Sequence, residues 1–286
     1  MIRGRFLSSK VEKKKNIFNN NAMEIFTLLD KSNCRKCNEP TCLAFASRVF
    51  LGTKSLDQCP SLDPDILAEY AGATRNMTAS EEMNQAAFQA LQEKVSTLDL
   101  KAAASRVGGV YSDNRLTIRI FGKPFSIDQT GKMFSDIHIN PWIAGPVLSY
   151  LITCKGVDLT GKWVSFRELS GGREKNSLFV KRSQSSFNAI ADQYPGLFED
   201  LIHLFNGEKV ENHDASDLSL KVYPLPRLPV LICYWKPEEG LASDLKLFFD
   251  SSADLNADID IVYGICAGIV VMFEKLALTH GVKVSS

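Results

Sequence analysis

The stretch Cys34-Arg-Lys-Cys37-Asn-Glu-Pro-Thr-Cys42 decides how the N-terminal part of this chain folds, because it places three cysteines within nine residues. A fourth cysteine, Cys59, follows after sixteen intervening residues and directly precedes Pro60. The chain has seven cysteines, an odd number, and its first residues carry charges where a secretion signal needs an apolar core. We therefore expect a reducing compartment, the cytoplasm, and not a disulfide framework.

A metal site is the better explanation of these four thiols. Structural zinc bound by cysteines alone usually uses two separated Cys-x-x-Cys pairs, and only Cys34 and Cys37 form such a pair here. The order Cys-x2-Cys-x4-Cys-x16-Cys-Pro supplies three thiolates from one compact loop and one from farther along the chain. That arrangement suits a cube whose irons each need one sulfur ligand. The spacing favours an iron–sulfur cluster, with a zinc site as the alternative.

The residues around the cysteines carry a family resemblance. Asn33-Cys-Arg-Lys-Cys-Asn-Glu-Pro-Thr-Cys-Leu-Ala-Phe-Ala46, followed by Leu56-Asp-Gln-Cys-Pro60, resembles the four-iron, four-sulfur domain at the N-terminus of the corrinoid iron–sulfur protein large subunit. The resemblance runs from about Met23 to Pro60. It implies one 4Fe-4S cluster with four protein ligands, which are Cys34, Cys37, Cys42 and Cys59.

One departure from the family concerns Asn38, where the family usually has glycine. Glycine at this position permits a left-handed backbone close to the cluster. Asparagine is the commonest other residue that tolerates this conformation. We therefore expect a left-handed turn at Asn38.

Three later segments resemble a domain-of-unknown-function family of anaerobic bacteria and archaea that is often fused behind this cluster domain. They are Leu159–Arg173, Pro224–Ile232 and Leu247–Asp254. We find no counterpart of the barrel or the cobalamin-binding domain of the corrinoid protein. The resemblance thus implies a cofactor and leaves the reaction open.

Charge is distributed unevenly along the 286 residues. Residues 1–60 contain 11 Lys/Arg and 5 Asp/Glu, a balance of +6, and the remainder contains 22 and 28, a balance of −6. The folded part has no basic excess, so we expect no nucleic-acid binding. Residues 1–22 lack helical periodicity and hold most of the positive charge. We interpret them as a disordered basic tail or a misassigned start, with an anion-binding arm as the alternative.

The predicted fold class is α+β, with a small α-helical iron–sulfur cluster domain followed by a larger α+β domain. The predicted boundaries are a tail at residues 1–22, the cluster domain at 23–60, a linker at 61–80 and the α+β domain at 81–286. We expect two short helices in the cluster domain, near residues 23–29 and 42–51. Leu43, Ala46 and Phe50 recur at helical spacing and are its predicted core.

In the larger domain, apolar periodicity predicts helices at residues 81–104, 140–151, 195–205 and 258–279. It predicts a hairpin of residues 116–120 and 125–128, and neighbouring strands at 230–235 and 245–249. Residues 230–235 are apolar on both faces, so we expect a central strand. The apolar part of the last helix contains Asp260 and is shorter than the ~20 residues that span a bilayer. We expect a buried helix and no membrane association.

Three other features are functional candidates. The loop Ser170–Lys175 has the glycines and basic residues to cradle an anion, although a solvated turn is favoured. His138 is a candidate acid–base partner of Asp136 or Asp128, against a structural histidine. Asp250–Asp254 follows a predicted strand, where carboxylates serve either catalysis or a turn. The remaining cysteines are predicted to be buried free thiols, and they are Cys154, Cys233 and Cys266.

The predicted function is that of an iron–sulfur protein of anaerobic metabolism that transfers one electron at a time or reductively activates a partner. We expect a redox partner protein, and a corrinoid enzyme if the resemblance extends to role. The alternatives are a sensor or binding module with a structural cluster, and an enzyme whose site lies in residues 81–286.

Overall fold

The computed structural model describes residues 22–50, 52–70, 79–135, 141–194, 196–211 and 213–279. The chain divides into two compact units, Met1–Gln85 and Ala86–Ser286. The fold is α+β, as predicted: the N-terminal region is small and helical, and the larger unit combines helices with two antiparallel sheets. The predicted tail lies outside the described residues except for Ala22, and so does most of the second half of the predicted linker.

Helices α1 (Ala22–Leu28), α2 (Cys42–Phe50) and α3 (Pro64–Glu69) form the first unit, with a short 3₁₀ turn at Leu56–Gln58. The two predicted helices of the cluster domain are confirmed. Their apolar faces pack together, and the fully or nearly buried side chains are Ile25, Leu29, Phe45, Ala46, Val49, Leu56 and Leu62.

One predicted core residue of this unit is wrong. Leu43 is 45 % exposed, whereas Ala46 is buried and Phe50 is half-buried. The buried face of α2 runs through Cys42, Phe45, Ala46 and Val49. At 3.6 residues per turn, the side chain of Leu43 projects about 100° away from that of Cys42, so burial of the cysteine turns the leucine to solvent.

The predicted helix of residues 81–104 is divided in two, as α4 (Ala79–Ser96) and α5 (Leu100–Arg106). The side chain of Asp99 accepts a hydrogen bond from the backbone N–H of Ala102 at 2.9 Å and caps α5. Aspartate competes with helical backbone bonding in a helix interior and favours a helix start. The apolar periodicity of residues 81–104 continues through both helices, so it did not predict the break between α4 and α5.

The first sheet of the larger unit is an antiparallel meander in the order β1-β2-β3-β4. Its strands are β1 (Val110–Ser112), β2 (Arg115–Ile120), β3 (Lys123–Asp128) and β4 (Met133–Ser135). Strands β2 and β3 are the predicted hairpin, paired from Arg115 with Asp128 to Ile120 with Lys123. Alternate residues of these two strands face the core, and they are Leu116, Ile118, Ile120, Phe125 and Ile127.

The second sheet has the order β5-β9-β8-β7-β6, with all pairs antiparallel. Its strands are β5 (Trp163–Ser165), β6 (Glu208–Lys209), β7 (Leu218–Leu225), β8 (Leu228–Trp235) and β9 (Asp244–Asp250). Strand β8 occupies the middle and is buried along nearly its whole length, so the predicted central strand is confirmed. Its predicted neighbour, β9, pairs with it directly.

Six further helices surround the sheets of this unit: α6 (Pro141–Thr153), α7 (Gly172–Phe179), α8 (Ser186–Gln193), α9 (Leu197–His203), α10 (Ala253–Asn256) and α11 (Ile259–Thr279). A π-helical segment, Val180–Ser185, joins α7 to α8. Helix α9 is shorter than predicted and is followed by left-handed Asn206. Asn140, the first residue of the helix predicted at 140–151, lies outside the described residues.

Helix α11 is the predicted C-terminal helix. By length and composition alone, its residues Ile259–Leu278 are apolar enough to cross a membrane, and a buried core helix passes the same test. In the structure α11 packs on α6 and α8. The two helices approach closely at Gly264, where an added Cβ would lie 3.4 Å from the ring of Pro146 in α6. The contacts support the predicted role as a core helix.

Candidate metal centre

The loop between α1 and α2, called the ligand loop here, comprises residues 29–41 and has an unusual backbone. Four of its residues, Lys31, Asn33, Arg35 and Asn38, have positive φ angles of 61°, 52°, 61° and 60°. Non-glycine residues rarely adopt this left-handed conformation. Left-handed residues alternating with other conformations turn backbone N–H groups toward one side, as in anion-binding loops. The predicted left-handed turn at Asn38 is confirmed.

The four predicted ligands come from three local structures of the first unit. Cys34 is exposed and Cys37 half-buried, both on the ligand loop. Cys42 is the first residue of α2, and Cys59 directly follows the 3₁₀ turn; both are buried. The predicted ligands therefore include one exposed cysteine and two that are buried in the apolar core of the unit.

Hydrogen-bond donors are directed at the exposed thiol. A bond from the backbone N–H of Lys36, together with the hydroxyl groups of Ser61 and Ser32, lowers the pKa of Cys34 below its ordinary value. The Sγ of Cys34 lies 3.8 Å from the Oγ of Ser61. These contacts favour the thiolate, which is the form that binds metals.

The two buried cysteines lie near Asp30 and the other predicted ligands. Burial raises the pKa of Cys59, and the nearby charges of Cys37, Asp30 and Cys34 raise it further. The Sγ of Cys42 lies 3.8 Å from Oδ1 of Asp30. The Cys42 thiol thus donates a hydrogen bond to Asp30, and burial with nearby negative charge favours the neutral thiol at Cys59.

In the described part of the chain, no group of three or more His, Cys, Asp or Glu side chains is placed so that it could hold a metal ion. The fit to an iron–sulfur group therefore rests on the donor set. Four thiols come from one small unit, two are buried beside apolar side chains, and N–H and O–H donors reach the sulfur atoms. Such donors and such partial burial are what the protein supplies to a cluster.

A lysine ties the ligand loop to the rest of the unit. The ammonium of Lys54 donates to the backbone carbonyl of Cys37 at 2.5 Å and lies 3.0 Å from the carboxylate of Glu39. Arg48, on α2, lies 3.8 Å from the same carboxylate. This role of Lys54 could not be predicted from the sequence, because no local pattern marks a lysine that contacts a residue seventeen positions earlier.

In the stretch Ser170–Lys175, Ser170 and Gly171 form a turn, which is the interpretation that the sequence favoured, and Gly172–Lys175 begin α7. The N–H of Ser170 donates to the carboxylate of Asp254 at 2.9 Å, and the N–H of Gly172 donates to the carbonyl of Leu169. The ammonium of Lys175 pairs with Asp260. The N–H groups of Ser170 and Gly172 and the ammonium of Lys175 thus already have protein partners.

The carboxylate of Asp250 is buried and serves a turn. It accepts hydrogen bonds from the backbone N–H groups of Thr160, Gly161 and Ser252. Burial alone raises its pKa, but these bonds and the Ser252 hydroxyl outweigh it and hold the pKa of Asp250 below its ordinary value. Asp250 is therefore a structural aspartate and not a proton-transfer group.

The predicted acid–base partners of His138 are Asp136 and Asp128, and of these only Asp128 lies among the described residues. His138 and Asp136 lie outside the described residues. Asp128 accepts bonds from the backbone N–H groups of Thr130 and Lys132, at 2.9 and 3.1 Å, and closes the turn before β4.

The three remaining cysteines are buried free thiols, as predicted, and they are Cys154, Cys233 and Cys266.

The larger unit contains a crevice of about 290 Å³ between the β2–β3 turn, β7 and the segment after α9. It is lined by Gly108, Arg119, Gly122, Phe205, Asn206, Glu208, Tyr223 and Pro226. Its charged groups have protein partners, because Arg119 donates to the carbonyl of Gly122 and Glu208 pairs with Lys221. The crevice gives no specific support to an enzyme site in this unit.

Two regions of the chain match known families. Residues 29–61 match the family described as "Putative Fe-S cluster", and residues 99–272 match the one described as "Domain of unknown function (DUF3786)". Both resemblances drawn from the sequence are confirmed. The first match includes all four predicted ligands, so the N-terminal unit is an iron–sulfur domain.

Curated relatives match the N-terminal region. Identity is 40 % over 68 residues with the acetyl-CoA decarbonylase/synthase complex subunit gamma of Methanothermobacter thermautotrophicus and 48 % over 42 residues with that of Methanocaldococcus jannaschii. It is 53 % over 38 residues with the corrinoid/iron-sulfur protein large subunit of Moorella thermoacetica. These matches cover 22 %, 15 % and 13 % of this chain, and 15 %, 9 % and 8 % of the relatives. No solved structure matches the chain.

Proposed function

The chain belongs to the DUF3786 family, and we propose that it transfers single electrons to a partner protein through one 4Fe-4S cluster in its N-terminal unit. The proposed ligands are the four cysteines of that unit, Cys34, Cys37, Cys42 and Cys59. These residues would hold the cluster, which would supply one-electron transfer between a donor protein and the partner.

The observation that carries this proposal is the graded exposure of the four thiols. Cys34 is exposed, whereas Cys42 and Cys59 are buried beside the apolar core. The exposed side allows a partner to approach closely. The buried side excludes water, and solvent access is one of the factors that set a cluster's potential.

The residues around the ligands have separate tasks in this proposal. The N–H groups directed at sulfur stabilise negative charge, and so do the exposed cations Arg35 and Lys36 between the first two ligands. Lys54 holds the carbonyl of Cys37 and so fixes the second ligand. The larger unit is proposed to recognise the partner.

The proposed partner is a cytoplasmic protein of anaerobic one-carbon metabolism. The relatives are named as subunits of acetyl-CoA decarbonylase/synthase and of a corrinoid/iron-sulfur protein, and their similarity to this chain covers the cluster region. A corrinoid enzyme that requires reductive activation is the first candidate. We propose neither nucleic acid nor a membrane as a partner.

The test is anaerobic preparation of the full chain, with analysis of iron and acid-labile sulfide. We expect about four of each per chain, and a reversible one-electron couple with an electron paramagnetic resonance signal on reduction. Replacing any of the four ligands with serine should remove or greatly destabilise the cluster. The matched controls are alanine variants of the buried thiols Cys154, Cys233 and Cys266, which should keep their iron.

Three outcomes would contradict parts of this proposal. Stoichiometric zinc without sulfide would rule out the cluster. A cluster that cannot be reduced reversibly would favour the sensor or structural role over electron transfer. Iron loss in the alanine controls would show that the ligand set is misassigned.

A further inference from the structure

Asn33 directly precedes the first ligand, and it makes two contacts with the third ligand, Cys42. Its side-chain Oδ1 accepts a hydrogen bond from the backbone N–H of Cys42 at 2.8 Å. Its own backbone N–H donates to the Sγ of Cys42, with 3.3 Å between the two atoms. The two bonds close a ring between parts of the chain that are nine positions apart.

The first of these bonds also satisfies a helix terminus. The first four N–H groups of an α-helix have no partner inside the helix. In α2 the hydroxyl of Thr41 accepts from Ala44, and Asn33 accepts from Cys42, the first helical residue. Asn33 therefore secures the backbone from which the Cys42 thiol projects.

The second bond acts on the sulfur itself. A backbone N–H that points at a ligand sulfur stabilises negative charge there, and hydrogen bonds to the sulfurs are among the factors that set a cluster's potential. The backbone of Asn33 is left-handed in this arrangement, with φ 52°. The side-chain bond to Cys42 holds that conformation, so one residue links ligand position to sulfur electrostatics.

From these contacts we propose that Asn33 is a positioning residue that clamps Cys42 for cluster binding and raises the cluster's reduction potential. The inference rests on the proposed iron–sulfur function. Few residues meet both requirements. The side chain must carry an acceptor on a short stem, and the backbone must tolerate a left-handed conformation, as asparagine and aspartate do.

Asn38 provides a matched control on the same loop. Its backbone is also left-handed, with φ 60°, and its side chain forms no hydrogen bond within the described residues. Asn33→Gly and Asn38→Gly both keep the left-handed conformation accessible. Only the first removes the clamp.

The experiment compares the wild-type full chain with these two variants. In the metal-free proteins, we expect the Cys42 amide proton to exchange roughly 2- to 10-fold faster in Asn33→Gly, as for loss of one hydrogen bond, and unchanged in Asn38→Gly. After anaerobic addition of iron and sulfide, Asn33→Gly should assemble more slowly, and its potential should be more negative. Its reduced cluster should also give an altered paramagnetic resonance spectrum.

Equal reduction potentials and equal spectra for the two glycine variants would contradict the proposed positioning role of Asn33. So would unchanged exchange of the Cys42 amide in Asn33→Gly. If wild-type protein takes up iron and sulfide in either case, the proposed function stands and only this inference fails. If wild-type protein takes up no cluster, the proposed function itself fails.

Discussion

Asn38 allows a sharp test of how the ligand loop accommodates a non-glycine residue. It sits in a left-handed conformation, with φ 60°, and its N–H donates to the carbonyl of Arg35 at 3.0 Å. A left-handed backbone costs an L-residue about 1–2 kcal/mol, less for asparagine, and a glycine loses about 0.5–1 kcal/mol in conformational entropy. These terms nearly cancel, so Asn38→Gly should change the stability of the N-terminal unit by roughly 0–1 kcal/mol, in the stabilising direction.

Asn38→Val should behave differently. A β-branched side chain in this region is strained, and such residues cost on the order of 1–3 kcal/mol. For a unit of this size, each 1 kcal/mol shifts the melting temperature by roughly 4–8 °C. The valine variant should therefore lose several degrees in the transition of the N-terminal unit, and cluster assembly should be hindered. The backbone bond to Arg35 is available to both variants, so it does not explain a difference.

Thermal unfolding of cluster-loaded protein and the yield of sulfide after anaerobic reconstitution are the measurements. Both variants should be compared with wild type under one set of conditions. Equal melting temperatures and equal cluster yields for the glycine and valine variants would refute the reasoning, because strain at φ 60° would then have no energetic consequence.

Two further predictions concern the cations near the ligands and the division of the chain. Replacing both Arg35 and Lys36 with glutamine should lower the reduction potential of the cluster. The shift should be on the order of tens of millivolts, because both side chains are exposed and their charges are screened by salt. An unchanged or raised potential in low-salt titrations would contradict this. The isolated segment 81–286 should unfold cooperatively without metal, because its two sheets and the helices around them bury a large core of their own. A calorimetric scan that shows no transition for this fragment would make the N-terminal unit part of its core.

Some features of this protein were determined by the sequence over short distances. Local patterns predicted the conformations of β2, β3, β8 and α11. The order of apolar and polar residues along a segment indicates whether one face or both faces are buried, and that indicates a strand or a helix. The left-handed turn at Asn38 was predicted from the glycine that the resembling family has there and from the tolerance of asparagine for that conformation. The equally left-handed Lys31 and Arg35 on the same loop were not predicted. The cysteine spacing likewise identified an iron–sulfur domain, while the individual ligands stay a prediction.

Other features were decided only by tertiary structure. Leu43 is exposed because the packing of α2 on α1 selected a neighbouring face of the helix. The break before α5 needed a cap at Asp99, which a continuous apolar pattern does not reveal. Lys54 and Asn33 act on cysteines seventeen and nine positions away. Such contacts depend on how segments that are distant in sequence pack against each other, and the periodicity of residues along the chain does not predict that packing.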